Sequence, residues 1–193
     1  MKIRHLKAEN YRRQAWKNGG GFTTELAMEP NGEQWLWRLS IARVERSGPF
    51  SDFAGYERTI MLLSGDGMEL DFGAAPSVRI VRREEPFVFD GGWKTTCRLI
   101  GGPVKDMNMM VDRKRAQANL RTLALTQEAT IVEGSQCTLL YVLRGGAGFF
   151  CPDRDMAIAR GELLRIDGGH ASAFQLRAMQ PDTAIVAVGI SLE

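Results

Sequence analysis

The sequence predicts an all-β protein built from two fused, duplicated β-units, and three observations carry that expectation. Helical periodicity is scarce. Short alternating or apolar runs, separated by Gly, Pro, Asp and Asn, dominate the chain. Two segments also recur in order. TIMLLSGDGMELDF at 59–72 parallels TLLYVLRGGAGFFC at 138–151, and FVFDGGWKTTCRL at 87–99 parallels LLRIDGGHASAFQL at 163–176. The offset is about 77–80 residues in both cases, drifting only by loop length, which is the mark of a duplication. Apolar strand, Gly-rich turn, strand, acidic turn, strand, turn and strand is the rhythm of a small jelly-roll barrel. Two such barrels, expected over 1–115 and 116–193, would make a bicupin. The repeat speaks to fold only, since a duplicated β-unit with no binding role would show the same pattern.

The elements follow in order. WKNGGGFTTE at 16–25 leads into a strand over 22–28. Its Asn18-Gly19 pair signals a tight hairpin. A second reading stands beside that one: glycines let a backbone approach a ligand, and successive amides can form an anion-binding nest. WLWRLSIARV at 35–44 alternates, with Trp35, Trp37, Leu39 and Ile41 on one face and Leu36, Arg38, Ser40 and Ala42 on the other. Strands over 58–63, 68–72, 78–81, 87–89 and 95–100 follow between turn residues. In KDMNMMV at 105–111, Asp106, Asn108 and Met110 share a face opposite Met107 and Met109; in FTTEL, Thr23 and Glu25 share one. Such faces are either the solvated side of an antiparallel sheet or the lining of a small polar pocket. The charged stretch DRKRAQAN at 112–119 is the candidate helix or irregular linker between the halves. Strands over 120–125, 129–132, 138–143, 148–151, 163–166, 172–176 and 183–191 complete the second unit.

Composition excludes several classes. The 193 residues are 44% hydrophobic and 25% charged, enough for a real core. A net charge of only +2, without a basic run, argues against a nucleic-acid partner. The charged N-terminus lacks a signal-peptide core, and apolar runs such as AIVAVGI at 184–190 are too short to span a bilayer. Cys97, Cys137 and Cys151 have no CxxC spacing, which fits a reduced cytoplasm. Each cysteine lies in or beside an apolar strand and reads as a small core residue.

Metal and nucleophile chemistry find little footing. A metal site needs imidazoles and carboxylates converging on one point. The two histidines, His5 and His170, are far apart in sequence, and His170 reads as a side chain at a loop edge. There is no GxSxG elbow, P-loop or dinucleotide fingerprint. No cofactor and no bound metal are expected.

Four blocks resemble the HutD/Ves family of bacterial cupin-like proteins: WKNGGGFTTE at 16–25, WRLSIARVERSGPFSDFAGYERTIMLLSG at 37–65, FDGG at 89–92 and GGPVKDMNMMVDR at 101–113. Ala54 stands where the family pattern has proline. The resemblance implies a compact bicupin linked to control of histidine and urocanate breakdown, with no assigned reaction. The ligand it implies is a small carboxylate such as N-formylglutamate, formate or urocanate. It groups Lys17, Asn18, Gly19, Gly20, Gly21, Thr23 and Glu25 with Arg38, Ser40 and Arg58, and with Asp106, Asn108 and Arg113. Arg38 and Arg58 would hold a carboxylate by charge-assisted hydrogen bonds. Asn18, Asn108 and nest amides would add neutral donors, and Glu25 and Asp106 would orient the arginines.

Two other functions stay open. A metal-independent enzyme would use Glu25 or Asp106 as general base, against which stands the expectation that neighbouring arginines lower the carboxyl pKa. An inert interaction module would pair exposed strand edges, which could form a homodimer by strand pairing.

Overall fold

A computed structural model of the chain describes residues 1–31, 34–73, 75–168 and 172–193, so His170 lies outside the described residues. The strands are β1 (Lys2–Leu6), β2 (Arg12–Ala15), β3 (Gly21–Asn31), β4 (Gln34–Val44), β5 (Gly48–Pro49), β6 (Tyr56–Ser64), β7 (Met68–Asp71), β8 (Val78–Ile80), β9 (Pro86–Asp90), β10 (Thr96–Leu99) and β11 (Val104–Asp112). They continue as β12 (Ala116–Ala124), β13 (Thr130–Glu133), β14 (Cys137–Arg144), β15 (Gly146–Cys151), β16 (Arg154–Ala159), β17 (Leu163–Asp167), β18 (Ala173–Ala178) and β19 (Ala184–Leu192). One 3-10 turn, Ala8–Asn10, is the only helical element among the described residues. None of their helices is long and apolar enough to cross a membrane.

The chain divides into two compact units, Tyr11–Ala116 and Met1–Asn10 with Gln117–Glu193. In the Tyr11–Ala116 unit, one sheet runs β2-β3-β4-β11-β6-β9 and another β5-β10-β7-β8. In the other unit the sheets run β1-β17-β14-β19-β12 and β13-β18-β15-β16. The pairings repeat: β6 bonds β9 and β11 as β14 bonds β17 and β19, and β7 bonds β8 and β10 as β15 bonds β16 and β18. The repeated segments therefore occupy equivalent places in the two units. Each sheet is open, with two edge strands, rather than closed into a barrel.

Two expectations are corrected. The first ten residues do not go with the Tyr11–Ala116 unit, because β1 pairs antiparallel with β17, Ile3 opposite Ile166. The stretch at 112–119 is neither helix nor loose linker. β11 ends at Asp112, whose Oδ1 accepts from the Lys114 N–H at 3.0 Å and whose Oδ2 accepts from Arg115 Nε at 2.7 Å. That carboxylate organises a short turn, and β12 begins at Ala116.

The core of the Tyr11–Ala116 unit joins Val44, Ile60, Leu62, Met68, Leu70, Phe72 and Phe89. Along one face of the six-stranded sheet, Val44, Ile60, Leu62 and Val104 are apolar while Arg38, Arg58, Asp106 and Asn108 are polar. The opposite face, including Trp37, Leu39, Met107 and Met109, is also buried. The polar face read from the sequence is therefore not a solvated exterior: Ser40, Arg58, Asp106 and Asn108 are all buried.

Candidate functional site

Strand register builds the site in rungs, since residues paired across antiparallel strands point to the same face. One rung runs Gln14, Thr23, Ala42, Asp106 and Leu62. The next runs Arg12, Glu25, Ser40, Asn108 and Ile60. Met110 lies between Arg38 and Arg58 on the third. A bulge in β3 between Glu25 and Ala27 adjusts the register there. The polar ends of these rungs face a cavity of about 600 Å³, closed on other sides by Trp16, Lys17, Asn18, Phe50 and Phe53.

The interior is cationic and incompletely satisfied. Arg58 Nη2 donates to Asn108 Oδ1 at 2.9 Å, and Asn108 Nδ2 donates in turn to Asp106 Oδ1. Asn108 thus links guanidinium to carboxylate. Arg38 Nη2 reaches the Met110 sulfur at 3.7 Å. Arg58 Nε, Arg38 Nε and Asp106 Oδ2 are buried without a hydrogen-bond partner. Aromatic rings hold both guanidinium groups: Arg58 lies 4.9 Å from Phe89, 5.3 Å from Phe50 and 5.5 Å from Phe53, and Arg38 lies 4.9 Å from Trp35 and 5.5 Å from Phe53.

Burial governs the protonation states. It pushes Arg58 down to about 10, with Asp106 opposing the shift and Arg38 adding to it. It lowers Arg38 as well, against the charge of Glu25. Both guanidinium groups stay charged at neutral pH. Asp106, 1% exposed, is pushed up to about 7 because desolvation outweighs the pull of Arg58 and Asn108. This reverses the expectation that neighbouring arginines would hold this carboxyl low.

Of the residues singled out in the sequence, Lys17, Asn18, Thr23, Glu25, Arg38, Ser40, Arg58, Asp106 and Asn108 line the cavity. Gly19, Gly20, Gly21 and Arg113 do not line it. The Gly19 N–H donates to the Trp16 carbonyl at 3.0 Å, and the Gly20 N–H to Asn18 Oδ1 at 2.9 Å. Those amides are spent inside the turn, so no nest faces the cavity. Gly21 meets a different demand: a Cβ there would run into the Arg43 carbonyl oxygen. Arg113 lies exposed, donating to Asp90 Oδ2 at 2.8 Å and to the Tyr56 carbonyl at 3.3 Å. Arg12, Gln14, Trp16, Phe50 and Phe53 escaped the sequence reading. Their signals were present, as the alternation Arg12-Gln14-Trp16 and as two aromatics three apart in the loop SGPFSDF.

Elsewhere, His5 Nε2 lies 2.7 Å from Glu162 Oε2 in the Met1–Asn10 and Gln117–Glu193 unit. The three cysteines are free. Burial pushes the Cys97 thiol up to about 12.

The fold and site define an all-β, cupin-like protein with an arginine-lined cavity. Oxalate decarboxylase of Bacillus subtilis superposes with a TM-score of 0.64 at 9% identity, over 96% of this chain and 76% of that one, a likeness of fold alone. The chain belongs to the HutD family, whose model matches residues 8–185. An uncharacterized 21.2 kDa protein in the hutC 3′ region of Pseudomonas putida is 44% identical over 119 residues, 60% of this chain and 62% of that protein, so the match spans under two thirds of the relative. Protein Ves of Citrobacter koseri is 33% identical over 67% of each chain. A conserved protein of unknown function from Pseudomonas aeruginosa PAO1 superposes with a TM-score of 0.90 at 32% identity, covering all of both chains. HutD from Pseudomonas fluorescens SBW25, solved in a formate condition, gives a TM-score of 0.83 at 27% identity, again over both whole chains.

Proposed function

We propose that this protein is a non-catalytic bicupin that binds a small carboxylate in the cavity of the Tyr11–Ala116 unit and so modulates histidine and urocanate catabolism. One observation carries the reading: buried Arg58 and half-buried Arg38 share one cavity, and each keeps a buried, unpartnered Nε. Two guanidinium groups removed from water are costly without an anion to share, and a carboxylate is the group their forks match. Family membership and the hutC-region relative support the pathway. The test is calorimetric titration with formate, N-formylglutamate and urocanate. Wild type should bind at least one of them, and Arg58→Ala should lose on the order of 2–4 kcal/mol of that binding. Equal affinity for wild type and variant removes Arg58 from the site; no binding of any of the three by wild type removes the reading.

A second reading has its own support. A carboxyl titrating near 7 is suited to general acid–base work, which favours a metal-independent enzyme acting on a small acid through Asp106. Product appearing in proton NMR with wild type, and none with Asp106→Asn, would establish it.

A further inference from the structure

The carboxylate reading accounts for the arginines and leaves one buried atom over. Asp106 Oδ2 has no partner, and Asp106 lines the same cavity as Arg38 and Arg58. A simple carboxylate would satisfy the guanidinium donors and leave this acceptor alone, beside a second negative charge. The hydrogen-bond direction is set by Asn108: its Oδ1 is taken by Arg58 Nη2, so its amide nitrogen faces Asp106, which acts as acceptor. An unpaired buried acceptor costs more than a typical hydrogen bond contributes. Opposite Asp106 on β4 stands Ala42, which leaves room above the carboxylate.

We propose that Asp106 sets ligand specificity: the cavity takes an acid whose carboxylate lies on Arg38 and Arg58 and whose hydroxyl or N–H group donates to Asp106 Oδ2. This rests on the carboxylate reading given above and narrows it. Spacing narrows it further. Arg58 reaches back to Asn108, one rung from Asp106. A rung is two residues, about 7 Å. The donor therefore sits several bonds from the carboxylate, as in a hydroxy, amino or acylamino acid of four or more chain atoms.

The charged groups that line the cavity with Asp106 are Arg58 on β6, Arg38 on β4, Glu25 on β3, Arg12 on β2 and Lys17 in the turn after it, and the Cys97 thiol on β10 feels its charge. The acidic side chains are fewer than the basic ones, so an anionic ligand is admitted with Asp106 ionised. A donor-bearing acid needs that ionised form, because a protonated Oδ2 no longer accepts in the same way. Its binding should weaken as pH falls through about 7, toward tenfold per unit.

Two isosteric probes test the proposal: 4-hydroxybutyrate, and pentanoate with a methyl in place of the hydroxyl. Wild type at pH 8 should bind 4-hydroxybutyrate at least tenfold more tightly, and lose that preference between pH 8 and pH 6. Asp106→Ala should bind the two acids equally, and Asp106→Asn, whose carbonyl oxygen is taken by Asn108 Nδ2 and whose NH2 group faces the ligand, should lose the pH dependence. Equal binding of both acids by wild type overturns the inference while leaving the arginine site standing, as does binding of formate without 4-hydroxybutyrate. Arg58→Ala abolishing binding, with wild-type preference absent, places the failure here. Absence of binding for every acid, formate, N-formylglutamate and urocanate included, overturns both. Thermal melts of each variant confirm that the comparison is between folded proteins.

Discussion

Arg58 and Asp106 are each held in a state that water would not choose. Arg58 is 5% exposed, and Asp106 carries an ordinary 3.8 carboxyl up to about 7. The two are joined only through Asn108, so neither fully compensates the other. The consequence for stability has a definite sign. The folded state binds a proton at Asp106 that the unfolded chain releases at lower pH. Stability from this group is therefore present below pH 4 and lost as pH rises through about 7. Asp106→Asn removes the ionisable group and keeps a partner for Asn108. Its unfolding free energy should exceed that of wild type at pH 8, by an amount on the order of a few kcal/mol, and the gap should narrow markedly by pH 5 and close only below about pH 4. Urea titrations at the two pH values measure this. A gap unchanged between them would mean that Asp106 does not ionise at a cost inside the fold.

At the scale of the element, the turn between β2 and β3 shows how one glycine run serves different ends. Gly19 has φ +67° and open space around it, so a side chain there meets only the left-handed backbone. Gly21 lies against the Arg43 carbonyl, where any Cβ collides with backbone. Gly21→Ala should therefore destabilise by about 2 kcal/mol or more, and Gly19→Ala by about 1 kcal/mol, as thermal unfolding will show. Equal, small losses would mean that the hairpin tolerates a register change. The same turn marks the limit of what sequence could disclose. The alternation of Arg38, Ser40 and Ala42, and of Asp106, Asn108 and Met110, identified a polar face because period two is unambiguous in long strands. Whether that face met water or a cavity depended on residues distant in the chain, chiefly Phe50, Phe53 and Trp16. β2, Arg12–Ala15, escaped the reading because it is exposed along its length and its alternation of Arg12, Gln14 and Trp16 is mainly polar rather than apolar. The raised carboxyl of Asp106 was not legible either, since it depends on burial depth outweighing a nearby charge.

At the scale of the whole molecule, a duplicated topology carries two different interiors. In the Met1–Asn10 and Gln117–Glu193 unit, β14, β17 and β19 contribute Leu140, Val142, Leu164, Ile166, Ile185 and Ala187, which join Phe149 and Phe174 in an apolar core. Among the corresponding strands of the Tyr11–Ala116 unit, β6 and β11 contribute Arg58, Asp106 and Asn108 to the cavity. The repeat in the sequence disclosed the shared frame, and the shift from Leu and Ile to Arg, Asn and Asp distinguishes the unit that carries the polar cavity. The first ten residues were placed with the first unit because KIRHL, charged and without strict alternation, gave no sign of pairing with a strand far along the chain, although β1 pairs with β17. The central claim is that the cavity exists to hold an acid between its two arginines. Crystals grown with N-formylglutamate measure this most directly. The account predicts a carboxylate within hydrogen-bond distance of Nε of both Arg38 and Arg58. An acid bound elsewhere, or an empty cavity in which neighbouring side chains satisfy both Nε atoms, would contradict it.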